Sequence, residues 1–172
     1  MCLDCKEKFV FDLKKSTIST YNHFYYSNYT TDLKQLFYSV KFDSNKYLLS
    51  EFSKFFLSLD LNKCLTNFDY YVPIPYHYTR LNFRGYNVLD YLFIFLEKNY
   101  NIIKLPLLNR KKSTKNLSLY KKTDRSIILS DVFDLNPLYV KPKSKILLVD
   151  DIVTTKATMK AAINKLNLVS NI

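Results

Sequence analysis

Apolar residues recur at helical spacing in four stretches of this chain. A helix capped by Thr30 or Thr31 has the clearest stripe, whose members at i, i+3, i+4 and i+7 are Leu33, Leu36, Phe37 and Val40. A second helix is predicted over residues 47–59, with a face made by Leu48, Phe52, Phe55, Phe56 and Leu59. A third is predicted over residues 86–99, with Leu89, Leu92, Phe93 and Leu96. The last begins near Thr158 and buries Met159, Ala162, Ile163 and Leu166.

The remaining apolar runs predict strands. These lie at residues 16–26 (a strand or a hairpin), 68–74, 102–108, 127–133 and 146–149. The second run must end at Pro75, because proline has no amide hydrogen to continue a ladder. The last run is a continuous branched apolar stretch between Lys145 and Asp150, which is typical of a central parallel strand covered on both faces.

The order of these elements predicts an α/β fold. Strand 68–74, crossover helix 86–99 and strand 102–108 form a βαβ unit, a connection that is right-handed in nearly every known case. We therefore expect a mostly parallel central sheet flanked by helices. Residues 67–172 would form this core, and residues 1–66, with a hairpin and two helices, would pack on it within a single compact domain.

Two adjacent acids follow the central strand. Asp150 and Asp151 come at its carboxyl end, which is where open α/β sheets bind ligands. In the turn after them, threonine hydroxyls and the backbone amides of residues 153–158 can converge on an anion at the positive end of the next helix. This pairing suits a ligand with both a phosphate and vicinal hydroxyls. A simpler interpretation stays open, in which the acids cap the helix and the threonines only form a turn.

The string VDDIVTTKAT resembles the phosphoribosyl diphosphate (PRPP) motif of type I phosphoribosyltransferases. The resemblance implies that Asp150 and Asp151 hold the ribose hydroxyls. It also implies that the 5'-phosphate is bound by Val153, Thr154, Thr155, Lys156, Ala157 and Thr158. The family usually has glycine where this chain has Lys156, and glycine there permits a positive φ or a close approach to the phosphate. Lysine adopts that geometry at a cost, although its ammonium adds attraction for phosphate.

A second stretch, VPIPYHYTRLNFRGYN over residues 72–87, holds the only glycine of the chain. It is similar to a segment of the ComF family, the competence-associated branch of the phosphoribosyltransferases. By that likeness Arg80, Arg84 and Gly85 would face the diphosphate of PRPP. A single glycine in 172 residues indicates a position that needs a positive φ or close backbone approach. The alternative is a solvated loop in which the arginines have no ligand.

The stretch 109–125 is rich in lysine and has little periodicity, so we expect a solvated loop. The family has a mobile flap over its active site in this region, and Arg110, Thr114 and Arg125 match its spacing. Leu117 stands where the family has glutamine, which puts the chemistry of the flap in question. Relatives also continue through one more strand after the last helix. The C-terminal strand is therefore expected to be truncated, replaced or contributed by a partner, and its absence from the chain would leave an exposed sheet edge.

Charge and composition add possible partners. The net charge is +11, with 26 basic and 15 acidic residues, so polyanions such as nucleic acid or phosphorylated metabolites are expected partners. The 15 tyrosines and 13 phenylalanines suit base stacking, although biased gene composition and core packing explain such abundance as well. Only four basic residues are arginines, the side chain that binds phosphate with two parallel hydrogen bonds.

Cysteines and hydropathy bear on metal and location. Cys2 and Cys5 form C-x-x-C, half of a tetrahedral zinc site, and the remaining cysteine, Cys64, is distant, so zinc is not expected. An odd number of cysteines fits a reducing compartment. The longest apolar run, residues 91–96, is far shorter than the roughly 20 residues of a membrane-spanning helix. With no signal peptide pattern at the N-terminus, a cytoplasmic protein is expected.

Three functions are consistent with these observations. The resemblance implies phosphoribosyl transfer from PRPP with Mg²⁺, in which a nitrogen nucleophile displaces diphosphate. The alternative is a non-catalytic competence accessory protein with a degenerate PRPP pocket, which binds imported single-stranded DNA. The third is an inactive relic. Proteins of the competence machinery are further expected partners, and a homodimer is one option for the assembly.

Overall fold

The computed structural model describes residues 13–28, 30–42, 47–51, 61–65, 67–78, 81–82, 85–111, 132–138 and 140–168. The predicted second helix is therefore described only at residues 47–51, which are helical. Residues 52–59 of that prediction, 112–125 of the predicted loop and 127–131 of a predicted strand lie outside the described residues.

The described elements follow in chain order. The strands are β1 (Lys14–Ile18), β2 (Tyr21–Tyr25), β3 (Tyr70–Pro73), β4 (Ile103–Lys104), β5 (Leu108–Arg110), β6 (Phe133–Leu135) and β7 (Ile146–Val149). The helices whose two ends both lie within the described residues are α1 (Thr31–Phe42), α2 (Asn62–Leu65), α3 (Val88–Leu92), α4 (Ile94–Tyr100) and α5 (Ala157–Leu166).

Strand β3 is the centre of a three-stranded parallel sheet with the order β4-β3-β7. The register pairs Tyr70 with Ile146 and Pro73 with Val149, so β3 and β7 end at the same level. The predicted bounds of β7 are confirmed, and Pro75 follows β3 as expected. Within the described residues β7 pairs only with β3.

The N-terminal part confirms two predictions. The expected strand or hairpin at 16–26 is a hairpin, in which β1 and β2 pair antiparallel around a turn with Ser19 at φ +55. The helix after Thr30 is α1, and the Thr30 hydroxyl accepts a hydrogen bond from the amide of Leu33. Leu33 and Phe37 from its predicted stripe are buried.

The helix predicted over residues 86–99 is wrong as a single element. Phe93 divides it into α3 and α4, because this residue is both the C-cap of α3 and the N-cap of α4. Asn87 begins α3, where its side-chain oxygen accepts from the amide of Leu89 at 3.0 Å. The buried face survives the break because Leu89, Leu92 and Leu96 all face the core.

The strand predicted over residues 102–108 is also wrong in extent. Only β4 pairs in parallel with β3, and Pro106, which cannot donate to a ladder, follows soon after it. The chain then forms β5, which pairs antiparallel with β6 in a separate sheet. Residues 109 and 110, expected in a solvated loop, therefore belong to a strand. The strand predicted up to Phe133 instead has its described part at Phe133–Leu135.

Two buried clusters hold the described elements together. One joins α1 to α3 and α4 on one side of the sheet, with Phe37, Tyr71 and Phe95 among its members. The other packs Val72 against Met159 and Ala162 of α5. The molecule is therefore a mixed α/β fold with a parallel sheet flanked by helices, as predicted at that level of detail. The division at residues 66 and 67 stays a prediction, and no described helix is long and apolar enough to cross a membrane.

Candidate functional site

The parallel pairing of β3 and β7 brings two chain segments together at the carboxyl end of the sheet. The amide of Ile74 donates to the carbonyl of Val149 at 2.9 Å, which continues the ladder one residue beyond β3. Asp150 and Asp151 then leave β7 beside the segment that leaves β3. The acids consequently lie where the sequence predicts them, next to the loop that follows Pro75.

Asp151 is bound by two side chains from other elements. Its Oδ2 atom accepts a hydrogen bond from the Tyr76 hydroxyl at 2.6 Å and forms an ion pair with Lys41 at the end of α1. The Asp151 side chain is 5% exposed and that of Lys41 is 14% exposed, so the pair is screened little by water. The Lys41 ammonium also lies 5.5 Å from the centroid of the Phe37 ring.

The two acids differ in protonation. Burial raises the pKa of Asp150 well above its usual value, and the charge of Asp151 raises it further. Burial acts on Asp151 in the same direction, but Lys41 and the hydrogen bonds outweigh it and lower the pKa of Asp151. The Asp151 carboxylate is thus held ionised beside an Asp150 carboxyl that favours its proton. A side-chain hydrogen bond between the two carboxyl groups raises the pKa of Asp150 and lowers that of Asp151.

The turn at residues 153–158 ends at the N-terminus of α5. Lys156 is in the left-handed region at φ +59, ψ 2, which is the conformation that the glycine of the family motif permits. Its carbonyl accepts from the amide of Lys160 at 3.0 Å. The backbone amides of residues 153–158 donate to no acceptor in the described part of the chain. These amides are therefore available at the positive end of α5.

The side chain of Lys156 is directed to the hairpin. Its Nζ atom lies 3.2 Å from the Ser16 hydroxyl and 3.0 Å from the carbonyl of Thr17. The ammonium was expected to attract the phosphate, and it instead joins the turn to β1. The backbone of the turn is thus left as the main source of donors for an anion.

Two cavities meet at Asp150. A small one of about 20 Å³ is lined by Asp150 and by residues 152–159. A large one of about 1000 Å³ lies under the hairpin and along β7, and it is lined by both acids as well as by Val153 and Lys156. The predicted ribose residues and the predicted phosphate turn therefore open onto the same region.

Of the three residues predicted to face the diphosphate, Gly85 alone is among the described residues. Gly85 has φ +70, so the expected positive φ is confirmed, but a Cβ added there would meet no atom within 4 Å and no close approach exists. Its amide donates to the carbonyl of Leu81 at 2.7 Å. Arg80 and Arg84 lie outside the described residues, so their role stays a prediction.

Most of the residues predicted for the flap and for zinc lie outside the residues that the structure describes. Arg110 was expected in the flap and lies instead in β5, where its guanidinium is 5.8 Å from the centroid of Phe133. Thr114, Arg125, Cys2 and Cys5 are not among the described residues. Cys64 is half-buried, and its thiol donates to the carbonyl of Leu61 at 3.2 Å.

Two site residues were missed by sequence reasoning. Tyr76 follows β3 by three positions, and the level ends of two paired parallel strands could have pointed to it. Lys41 carries no such signal, because its place depends on how α1 packs against the sheet. Sequence patterns locate a residue on an element but not the distance between two elements.

The described residues contain no group of three or more His, Cys, Asp or Glu side chains that could hold a metal ion. The chain matches no protein-family model, and no curated protein is similar to it in sequence.

Proposed function

We propose that the chain has a type I phosphoribosyltransferase-like fold and binds PRPP at the carboxyl end of β7. The observation that carries this proposal is the continuity of Asp150 and Asp151 with a turn whose amides are open and whose Lys156 takes a left-handed conformation. The resemblance of VDDIVTTKAT to the PRPP motif supports the same ligand.

The two acids suit a ribose with vicinal hydroxyls. The Asp151 carboxylate, whose pKa is lowered, accepts a hydrogen bond from one hydroxyl, and a carboxyl oxygen of Asp150 accepts from the other. Tyr76 and Lys41 hold the Asp151 carboxylate in place. The ribose is thus oriented by groups that are already ordered before it binds.

The turn suits the 5'-phosphate. Open amides at the N-terminus of a ten-residue helix favour an anion through hydrogen bonds and through the helix dipole. Thr154 and Thr155 are exposed at this turn and add hydroxyl donors. A small recess of about 20 Å³ opens beside them, with Asp150 at its border.

The reaction that follows is displacement of diphosphate from C1 of the ribose by a nitrogen nucleophile. Magnesium in such reactions would be held mainly by the substrate phosphates and water, because Asp150 favours its proton and the Asp151 carboxylate is paired with Lys41. When bound, Mg²⁺ neutralises charge on the departing diphosphate. The chain's own contribution is electrostatic and positional, because the turn fixes the phosphate while the acids fix the ring.

Calorimetric titration of PRPP with Mg²⁺ tests the proposal before any acceptor is known. We expect Asp150→Ala to weaken PRPP binding by about 10-fold, since a hydrogen bond between neutral groups contributes roughly 0.5–1.5 kcal/mol. Thr155→Val should weaken both PRPP and ribose 5-phosphate, because both carry the 5'-phosphate. Asp32→Asn, on the exposed first turn of α1, is the matched control and should bind as wild type.

The proposal is wrong if the wild-type chain does not bind PRPP at millimolar concentration, or if Asp150→Ala binds PRPP as tightly as the wild type. Release of diphosphate with an added nitrogen base would identify an enzyme. Tight binding without release would indicate that the pocket serves recognition.

A second function, binding of single-stranded DNA in competence, is favoured by one observation. Three tyrosines are strongly exposed on a chain of net charge +11, namely Tyr38 at 61%, Tyr47 at 71% and Tyr78 at 64%. Exposed aromatic rings suit stacking on bases, and the net positive charge of the chain suits a phosphate backbone. The likeness of residues 72–87 to the ComF segment points in the same direction.

Retention of a labelled oligothymidylate tests this function. Its affinity should fall steeply with salt and fall again by about 1–3 kcal/mol when Tyr38 is changed to alanine. Asp150→Asn should leave it unchanged if the DNA surface is separate from the PRPP pocket. Affinity that does not depend on salt would exclude this second function.

A further inference from the structure

The large cavity is bigger than a ribose phosphate requires. At about 1000 Å³ it lies at the upper end of the roughly 300–1,000 Å³ range that accommodates drug-sized ligands. It extends from the hairpin along both faces of β7, and its walls are largely apolar, with Phe24, Tyr25, Phe37, Phe68, Leu148 and Ile163 among them. A lone purine or pyrimidine would leave most of this space unfilled.

One polar cluster interrupts the apolar wall. Ser16 of β1 and His23 of β2 are directly paired across the hairpin, and the Ser16 hydroxyl lies 2.8 Å from Nδ1 of His23. The Lys156 ammonium lies 3.2 Å from the same hydroxyl. All three residues line the cavity, as do Asp150 and Asp151. The cluster therefore faces the space beside the proposed ribose site.

The chemistry of this cluster leaves a proton acceptor. An ammonium only donates, so the Ser16 oxygen accepts from Lys156. When Nδ1 of His23 donates to the same oxygen, Nε2 keeps its lone pair. When the Ser16 hydroxyl donates to Nδ1 instead, Nε2 carries the hydrogen of the neutral imidazole. A further proton then reaches Nδ1 through the serine hydroxyl. In both tautomers the neutral imidazole can take one proton.

The charges around His23 keep it neutral. Burial lowers its pKa, and the positive charge of Lys156 lowers it further. The other charged groups that line this space are Lys15 on the adjacent strand, Lys145 before β7 and the two acids, Asp150 and Asp151. A neutral histidine near pH 7 is the form that acts as a general base.

We propose that this cavity binds the acceptor of the transfer, that the acceptor is a bulky aromatic amine or N–H heterocycle with an apolar body, and that His23 accepts its proton. This inference rests on the proposed function. The acceptor nitrogen forms a bond to C1 of the ribose with its lone pair. The bond from C1 to the diphosphate oxygen breaks, diphosphate leaves with the electron pair, and the N–H proton passes to the imidazole and then to water.

The test combines an acceptor series with a His23 variant. Aniline, 2-aminonaphthalene, 2-aminoanthracene and adenine are supplied with saturating PRPP and Mg²⁺, and diphosphate release is measured. We expect kcat/KM to rise with the number of rings, by about 10-fold or more per added ring, since each ring buries more apolar surface. Adenine should be the poorest acceptor for its size.

His23→Gln keeps a polar side chain of similar size and removes the base. We expect its kcat to fall by about 100-fold or more, with the affinity for PRPP unchanged. The pH dependence of kcat that reports this histidine should also be lost. Thr20→Ala, at the exposed tip of the same hairpin and outside the cavity lining, is the control and should behave as wild type.

Each outcome decides a separate point. Adenine reacting better than 2-aminoanthracene overturns the acceptor class, and a His23→Gln variant with wild-type kcat overturns the role of the imidazole. PRPP binding without diphosphate release from any of the four acceptors overturns the inference while the proposed binding stands. Failure of the wild type to bind PRPP removes both.

Discussion

Lys156 joins a backbone conformation suited to glycine with a side chain that spans two elements. Its φ of +59 costs a residue with a Cβ about 1–2 kcal/mol, whereas its ammonium gains contacts with Ser16 and Thr17 of the hairpin. The contacts offset part of the strain. A lysine in place of glycine is therefore compatible with the geometry of the turn, and it links the turn to β1.

Two variants separate the strain from the link. Lys156→Ala and Lys156→Gly both remove the ammonium, but only alanine keeps a Cβ in the left-handed region. We expect the glycine variant to be more stable than the alanine variant by about 1 kcal/mol in urea denaturation. Equal stability of the two variants would contradict the left-handed conformation at this position.

Asp150 is predicted to destabilise the fold at neutral pH. Its folded pKa is raised, so its contribution to stability is fully present below the unfolded pKa and is lost as the pH rises through the folded value. Asp150→Asn removes this loss and keeps the oxygen that accepts from the amide of Asp151. We expect the variant to be more stable than wild type at pH 7, by on the order of 1 kcal/mol, and to differ little near pH 3.

Asp151 should behave in the opposite way. Its folded pKa is lowered, so its contribution is present above the unfolded pKa and is lost as the pH falls through the folded value. Asp151→Asn leaves the Lys41 ammonium without its carboxylate, and breaking a buried pair typically costs about 3–5 kcal/mol. Urea titrations of both variants from pH 3 to 8 check the signs. Stability changes of the same sign at pH 7 would refute the assigned protonation.

Among the elements, α3 is a short helix that begins after Asn87 and ends at the break at Phe93. A five-residue helix has few internal hydrogen bonds, so its N-cap carries an unusual share of its stability. Asn87→Ala should lower the free energy of unfolding by about 1 kcal/mol, whereas Asn87→Asp, which caps equally well, should not. The shift is read from the urea midpoint at unchanged m-value, and an alanine variant as stable as the aspartate variant would count against the cap.

Elements with a strong local signal were predictable. Four branched residues between a lysine and an acid locate β7 to the residue, and an apolar stripe after a threonine locates α1. The apolar spacing of residues 86–99 gave the buried face correctly but could not reveal the break, because the same face continues through α3 and α4. The short extent of β4 was missed because pairing depends on β3, a strand more than 25 residues away in sequence.

On the scale of the molecule, sequence located the candidate site but not its surroundings. Asp150 and the turn are neighbours because both directly follow β7 in the sequence, at the carboxyl end of the sheet. The ion pair from α1 and the hairpin over Lys156 join segments more than 100 residues apart in the chain, and no local pattern carries such distances. The large cavity along β7 likewise arises only when the hairpin, the sheet and the helices are assembled.

Amide hydrogen exchange followed by nuclear magnetic resonance tests the central claim most directly, because it reports the turn at residues 153–158 itself. In the free protein these amides should exchange fast, since they donate to no acceptor among the described residues. With saturating PRPP and Mg²⁺ we expect their exchange to slow by about 100-fold or more, as hydrogen bonds to phosphate form. Saturation with PRPP that leaves these amides exchanging at the free rate would contradict the account.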